Sequence, residues 1–292
     1  MDDTQGIARR KHTAGLVLRL LLGVVFVLSA AAKLWSIDQF ELYVFSYGFF
    51  SLNLTFILVR LCIGAELALG VLMLTGWLRH NVLKATLALL FFFSLFLCYA
   101  ALIGRDDSCQ CFGQMADMPP AVSLLKNAIL IALTLLCIKL SRKKETRRSH
   151  IWLAIAATAV CMIVPFVVSV PDNWMFGSAE ERYNKEVFDE VMNRELAPQQ
   201  PREGQKIIAF VTPGCPYCRM ARQKLDYIVK RNHLAEENVI YVEPIDIGTD
   251  TFLKITYGAR PLILLTDNGE VAMTFHYRNI DEKKIAQALN HQ

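Results

Sequence analysis

Five apolar runs in the first 170 residues decide most of what this chain can fold into. They extend from about Ala14 to Trp35, Leu52 to Trp77, Val82 to Gly104, Val122 to Leu140 and Ile151 to Val170. Each is long enough to cross a hydrocarbon core of about 30 Å, which takes roughly 20 helical residues. Buried helices of one large soluble core are the competing reading, and five such runs in so short a stretch disfavour it. No small-residue cleavage site follows the first run, which therefore reads as a retained signal anchor. Composition agrees: 54% of the 292 residues are hydrophobic and 20% charged. That balance excludes a disordered, collagen-like or small disulfide-stapled chain.

The net charge of +4 hides a split. Residues 1–170 carry 16 Lys+Arg against 9 Asp+Glu, and residues 171–292 carry 15 against 18. A basic membrane half followed by a mildly acidic soluble half is the expected organisation. Nothing in the basic residues suggests nucleic acid. The loops set the orientation. Arg9, Arg10 and Lys11, then Arg79, His80 and Lys84, then the run Ser141–His150 fall on one side. The opposite loops, Ser36–Ser51 and Arg105–Ala121, hold Arg105 as their single Lys or Arg. The positive-inside rule then puts the N-terminus in the cytoplasm and everything after Val170 outside it.

Charges inside the spans need partners or a cavity. Arg60 and Glu66 lie well inside the second run, and Lys33 and Lys126 nearer the outer ends of the first and fourth. Lys33 and Lys126 have the alternative of snorkelling outward. Arg60 and Glu66 are six residues apart and do not share a helix face, so each is expected to find its partner elsewhere.

Of eight cysteines, Cys62, Cys98, Cys137 and Cys161 fall inside apolar runs, where a thiol is usually a small buried hydrophobe. The other four form two local pairs. Cys109-Gln110-Cys111 lies in the outer loop between the third and fourth runs. A bridge between residues i and i+2 needs a tight turn, and strained, exposed disulfides exchange readily. A redox pair, a copper or zinc site and an inert pair all remain open for it; a metal needs further ligands.

Cys215-Pro-Tyr-Cys218 has more context. Lys206–Thr212 reads as a strand, Pro213-Gly214 as a turn, and Cys215–Lys230 has helical spacing with Met220, Leu225, Ile228 and Val229 apolar. The CxxC thus opens a helix just after a strand, where free amides favour a thiolate. Asn238–Ile245 is expected as a strand and 250–257 as a short helix. Arg260–Leu265 and Val271–Tyr277 read as strands joined by a hairpin at Asp267-Asn-Gly269, and Asp281–Leu289 as a helix. Upstream, Glu180–Leu196 fits an amphipathic helix with Tyr183, Val187, Phe188, Val191 and Met192 on one side.

This order of elements, together with Cys215-Pro-Tyr-Cys218, resembles the thioredoxin fold. The resemblance implies Cys215 as nucleophile, Cys218 as resolving thiol and Pro261 as the family's cis-proline. The membrane half resembles the MauE/DoxX redox-associated membrane proteins through Ser29–Lys33, Glu66 and the loop Cys109-Gln-Cys111-Phe-Gly113, where Gln110 replaces a glycine usual in the family. The expected architecture is a membrane α-helical bundle of five spans plus an α/β thioredoxin-like domain. The expected divisions are 1–140 for the MauE/DoxX-like part, 141–205 for the basic loop, fifth span and linker, and 206–292 for the thioredoxin-like domain.

The expected function is a thiol–disulfide oxidoreductase of the bacterial inner membrane, multi-pass, with a periplasmic C-terminal domain. It would exchange electrons between Cys215–Cys218 and Cys109–Cys111 and act on extracytoplasmic client proteins that contain cysteines. No cofactor is fixed by the sequence and no metal site is assigned. A membrane quinone is the candidate acceptor, with Lys33, Arg60, Glu66 and Lys126 as candidate binding residues. Two other classes stay open: a client-specific maturation factor that reduces or isomerises disulfides, and a copper-binding assembly protein.

Overall fold

A computed structural model describes residues 2–103, 120–140, 148–171, 181–194, 196, 198 and 202–289. The chain divides into two units, one of Met1–Tyr43 with Ile57–Val170 and one of Val44–Phe56 with Pro171–Gln292.

The first unit is helical. Helices α1 (Asp2–Trp35), α3 (Leu52–Thr75), α4 (Arg79–Leu102), α5 (Pro120–Leu140) and α6 (Arg148–Val168) carry the five expected apolar runs. Each contains a stretch of 19–24 residues apolar enough to cross a membrane, with mean hydropathy of 2.2–2.5. The stretch Ser36–Ser51, read from sequence as a loop, contains a further helix, α2 (Ile37–Phe45). It is too short to span, so the length criterion that finds the other five passes over it.

Lipid tails are as apolar as leucine, so these helices gain little by hiding apolar surface from water. Close backbone approach and polar contacts must hold them together. Glycines supply the approach. A Cβ on Gly70 of α3 would stand 2.8 Å from Val27 Cγ2 and 3.1 Å from the Gly23 carbonyl of α1. One on Gly23 would meet Leu74 at 3.0 Å and the Gly70 carbonyl at 3.1 Å. The two backbones pass where neither residue has a side chain. Gly70→Leu should therefore force α1 from α3 and cost about 1–3 kcal/mol or more. Denaturant titration of the full chain in mixed micelles measures this, and an unchanged midpoint would contradict the crossing.

The second unit holds a four-stranded sheet in the order β2 (Val239–Val242), β1 (Gln205–Phe210), β3 (Leu262–Asp267), β4 (Glu270–Phe275). β1 runs parallel to β2, pairing Ile207 with Val239, and antiparallel to β3, pairing Ala209 with Ile263. The hairpin falls at Asn268-Gly269, both with positive φ, as the Asp-Asn-Gly signal requires. Helix α8 (Pro216–Arg231) follows β1, α9 (Pro244–Ile247) and α10 (Thr249–Thr256) follow β2, and α11 (Glu282–Leu289) closes the chain. Ile207, Ile208, Ala209, Phe210, Leu262, Ile263 and Leu264 are fully buried, as continuously apolar strands covered on both faces should be.

The amphipathic segment upstream forms α7 (Lys185–Asn193), capped by the Asn184 side chain, which accepts the Val187 N–H at 3.3 Å. Its Phe188, Val191 and Met192, with Leu196, join the core cluster of Phe210, Phe252 and Leu264. Each such side chain contributes about 1.5–3 kcal/mol by burial. Val44–Phe56 belongs to this unit too. Arg231 of α8 donates to the Phe50 carbonyl, and the Leu52 N–H donates to Glu282 Oε2 of α11 at 3.2 Å. Arg231 and Glu282 pair at 3.4 Å, and Lys224 Nζ lies 5.7 Å from the Phe56 ring centroid.

Candidate functional site

The turn Thr212–Gly214 delivers the chain from β1 to α8. Cys215 is the N-cap of α8, in an extended conformation, and its Sγ accepts the Cys218 N–H at 3.3 Å. Pro216 occupies the first helical position, where its missing N–H costs nothing. One turn on, Cys218 faces inward and is buried, whereas Cys215 is half-buried. Both thiols are free. Burial, then a side-chain hydrogen bond between its thiol and that of Cys215, pushes the Cys218 thiol up to about 11, against the opposing effects of a Thr212 backbone hydrogen bond and the Arg260 charge. At neutral pH Cys218 is therefore a thiol and a poor nucleophile. The Arg260–Pro261 peptide is cis, and Pro261 precedes β3.

Tyr217, between the two cysteines, is exposed and packs against Tyr277 with ring centroids 4.8 Å apart and planes tilted by 35°. Tyr277 is buried, and its carbonyl accepts from Lys224 Nζ at 3.4 Å. Neither Tyr277 nor the buried Lys224 was singled out in the sequence, because a lysine among helical apolar positions reads as a solvated charge. His276 completes this side. Its Nδ1 accepts the Arg278 N–H at 3.3 Å, and burial holds its imidazole below the ordinary range, with Glu181, 3.9 Å from Nε2, opposing. Folding thus favours the neutral ring. The associated stability is complete above the unfolded value of about 6.5 and is lost as pH falls through the lower folded value. The melting temperature of the full chain should accordingly decline as pH falls below about 6.5, and His276→Gln should flatten that decline.

In the first unit the structure sorts the four charges singled out above. Lys33 Nζ meets Glu66 Oε1 at 2.5 Å, with Ser29 Oγ 3.4 Å from both groups. Lys33 also lies 5.2 Å from the Phe93 ring centroid and 5.7 Å from that of Phe40. It is 4% exposed, so it does not snorkel. Lys126 lies within electrostatic reach of both Lys33 and Glu66. Arg60 is elsewhere. It pairs with Glu41 of α2 and donates to the Ser169 carbonyl at 2.7 Å and the Val170 carbonyl at 3.1 Å. Arg60 and Glu66 thus have separate partners, as their six-residue spacing requires. Glu41 was missed because it lay in the supposed loop. Arg19, within the first apolar run, was also passed over; it is buried. Cys109 and Cys111 lie outside the described residues. Among the described residues no three His, Cys, Asp or Glu side chains converge.

The fold and the site define a multi-pass membrane protein that carries a thioredoxin-like domain with a CxxC at a helix start. Residues 11–140 match the family described as Methylamine utilisation protein MauE. Protein TlpB of Flavobacterium psychrophilum is 24% identical over 287 residues, covering 80% of this chain and 78% of that protein. No solved structure matches the chain. The membrane part is MauE-like.

Proposed function

We propose that the chain is a thiol–disulfide oxidoreductase of the bacterial inner membrane, with its N-terminus cytoplasmic and its CxxC domain in the periplasm. The observation that carries this reading is the asymmetry of the two thiols. Cys215 is reachable at the α8 N-terminus and receives an amide hydrogen bond, whereas Cys218 is buried behind it and kept protonated. In the exchange, Cys215 thiolate attacks one sulfur of a partner disulfide and expels the other as thiolate. Cys218 then loses its proton and attacks Cys215 Sγ, releasing the partner's second thiolate. Two electrons pass to the partner, and Cys215–Cys218 becomes the disulfide; in reverse the same steps oxidise a dithiol.

Cys109–Cys111 is the internal partner in this proposal, and cysteine-containing periplasmic proteins are the clients. In the same reading a membrane quinone is the electron sink. The Lys33–Glu66 pair supports that choice: Glu66 Oε2 is buried and meets no hydrogen-bond partner among the described residues, and as an acceptor it suits a quinol hydroxyl. Arg60, engaged by Glu41 and two carbonyls, is not part of this pair.

Acid trapping of thiol states in cells tests the relay. Replacing Cys109 and Cys111 together by serine should shift the steady-state ratio of dithiol to disulfide at Cys215–Cys218. An unchanged ratio would show that the two pairs do not exchange. A reporter fused after Gln292 should be active only in the periplasm; activity in the cytoplasm would overturn the orientation.

A further inference from the structure

Arg19 of α1 is 6% exposed, and its Nε and Nη1 are buried with no hydrogen-bond partner among the described residues. A guanidinium stays charged, and a buried charge without a counter-charge is costly. The charged group that bears on Arg19 is Arg79 at the start of α4, a second cation, and the Cys137 thiol lies nearby. Arg79 Nε donates to the Gly76 carbonyl at 3.3 Å. Gly76 itself makes room for Arg19: its φ is +75°, and a Cβ there would stand 2.2 Å from Arg19 Nη1. Two arginines therefore converge on one glycine, with unspent donors and no carboxylate among the described residues.

Depth narrows the ligand. Gly76–Leu78 is the turn between two membrane-crossing helices, so it lies at a membrane–water interface, and Trp77 in the turn fits that level. Arg19 touches this turn, about 9 Å along α1 from the start of its apolar stretch at Thr13. The guanidinium end of Arg19 reaches back to this turn, which borders the phosphate layer of the bilayer, and arginine donors match phosphate oxygens in geometry and charge. We propose that Arg19, with Arg79, binds a phosphate group at the Gly76 turn, from a phospholipid headgroup or from free phosphate. The site is independent of the redox reading.

The test follows the apparent melting temperature of the full chain in detergent after delipidation. At about a hundred times the dissociation constant, phosphatidylglycerol should raise it by about 5 °C. A neutral glucosyl-diacylglycerol with the same acyl chains should not. Inorganic phosphate is the third arm. A rise with it equal to the lipid's assigns the site to free phosphate, and a rise with phosphatidylglycerol alone assigns it to the headgroup. Arg19→Gln should remove the phosphate-dependent rise, and Arg19→Lys should keep part of it. Should Arg19→Gln not fold, Arg79→Gln provides the second variant and should weaken the response. The proposal is overturned if neither phosphatidylglycerol nor phosphate stabilises the wild type more than the neutral lipid does. It is equally overturned if the folded variants respond as the wild type does; a carboxylate of the chain would then neutralise Arg19.

Discussion

Cys215→Ala should reduce thiol–disulfide exchange by at least about a hundredfold, to the background of the assay, while Cys218→Ala should accumulate mixed disulfides through Cys215. The two cysteines differ in position, and the structure gives the difference physical content. Cys215 caps α8 and accepts the Cys218 N–H, so negative charge on its sulfur is met by a helix N-terminus. Cys218 sits one turn deeper, and its thiol is pushed up to about 11, so near pH 7 it stays protonated. Without Cys218, a bond formed at Cys215 has no internal thiol to resolve it. Mass spectrometry after acid quenching measures both effects. Equal alkylation of the two thiols at pH 7, or mixed disulfides accumulating through Cys218, would refute the assignment.

The largest stability effect is expected at the Arg60–Glu41 pair. Both side chains are 1% exposed. Removing one partner strands the other charge in a medium that cannot solvate it, which costs about 3–5 kcal/mol in comparable buried pairs. Arg60→Met and Glu41→Met should each destabilise by that order in mixed micelles. The double variant should recover much of the loss, because no buried charge is left behind. Recovery should not be complete: Arg60 also satisfies the carbonyls of Ser169 and Val170, where α6 ends. A double-mutant cycle isolates the pair energy. If the two losses simply add, Arg60 and Glu41 are not coupled, and the contact is incidental.

Much of this architecture is legible in local sequence, because burial leaves a periodic trace. The five apolar runs become membrane-crossing helical stretches whose bounds differ from those expected by only a few residues, although α1 itself begins earlier, at Asp2. The strand–turn–CxxC–helix order, the hairpin at Asn268-Gly269 and the buried face of α7 follow from spacing and turn chemistry within some ten residues of chain. The cysteine motif could be read for the same reason: its four residues and their helix-start position are contiguous.

Partnership is different, since it joins residues that no local pattern relates. Lys33 and Glu66 are 33 residues apart, Arg60 and Glu41 are 19 apart, and Arg60 and Ser169 are 109 apart. The sequence could require that each intramembrane charge have a partner, but helix packing alone chose which. It also placed Gly23 against Gly70 and Arg19 against Gly76, where the absence of a side chain matters only once two backbones meet. Val44–Phe56 makes the same point. By sequence it is a connection between two spans, and only the tertiary structure shows Phe50 and Leu52 held by Arg231 and Glu282. Local sequence was enough to mark the segments apolar enough to enter lipid, those that form the sheet and the place of the CxxC at a helix start. Which buried charges neutralise each other came from packing, because electrostatic pairing depends on distance in space and not on distance along the chain.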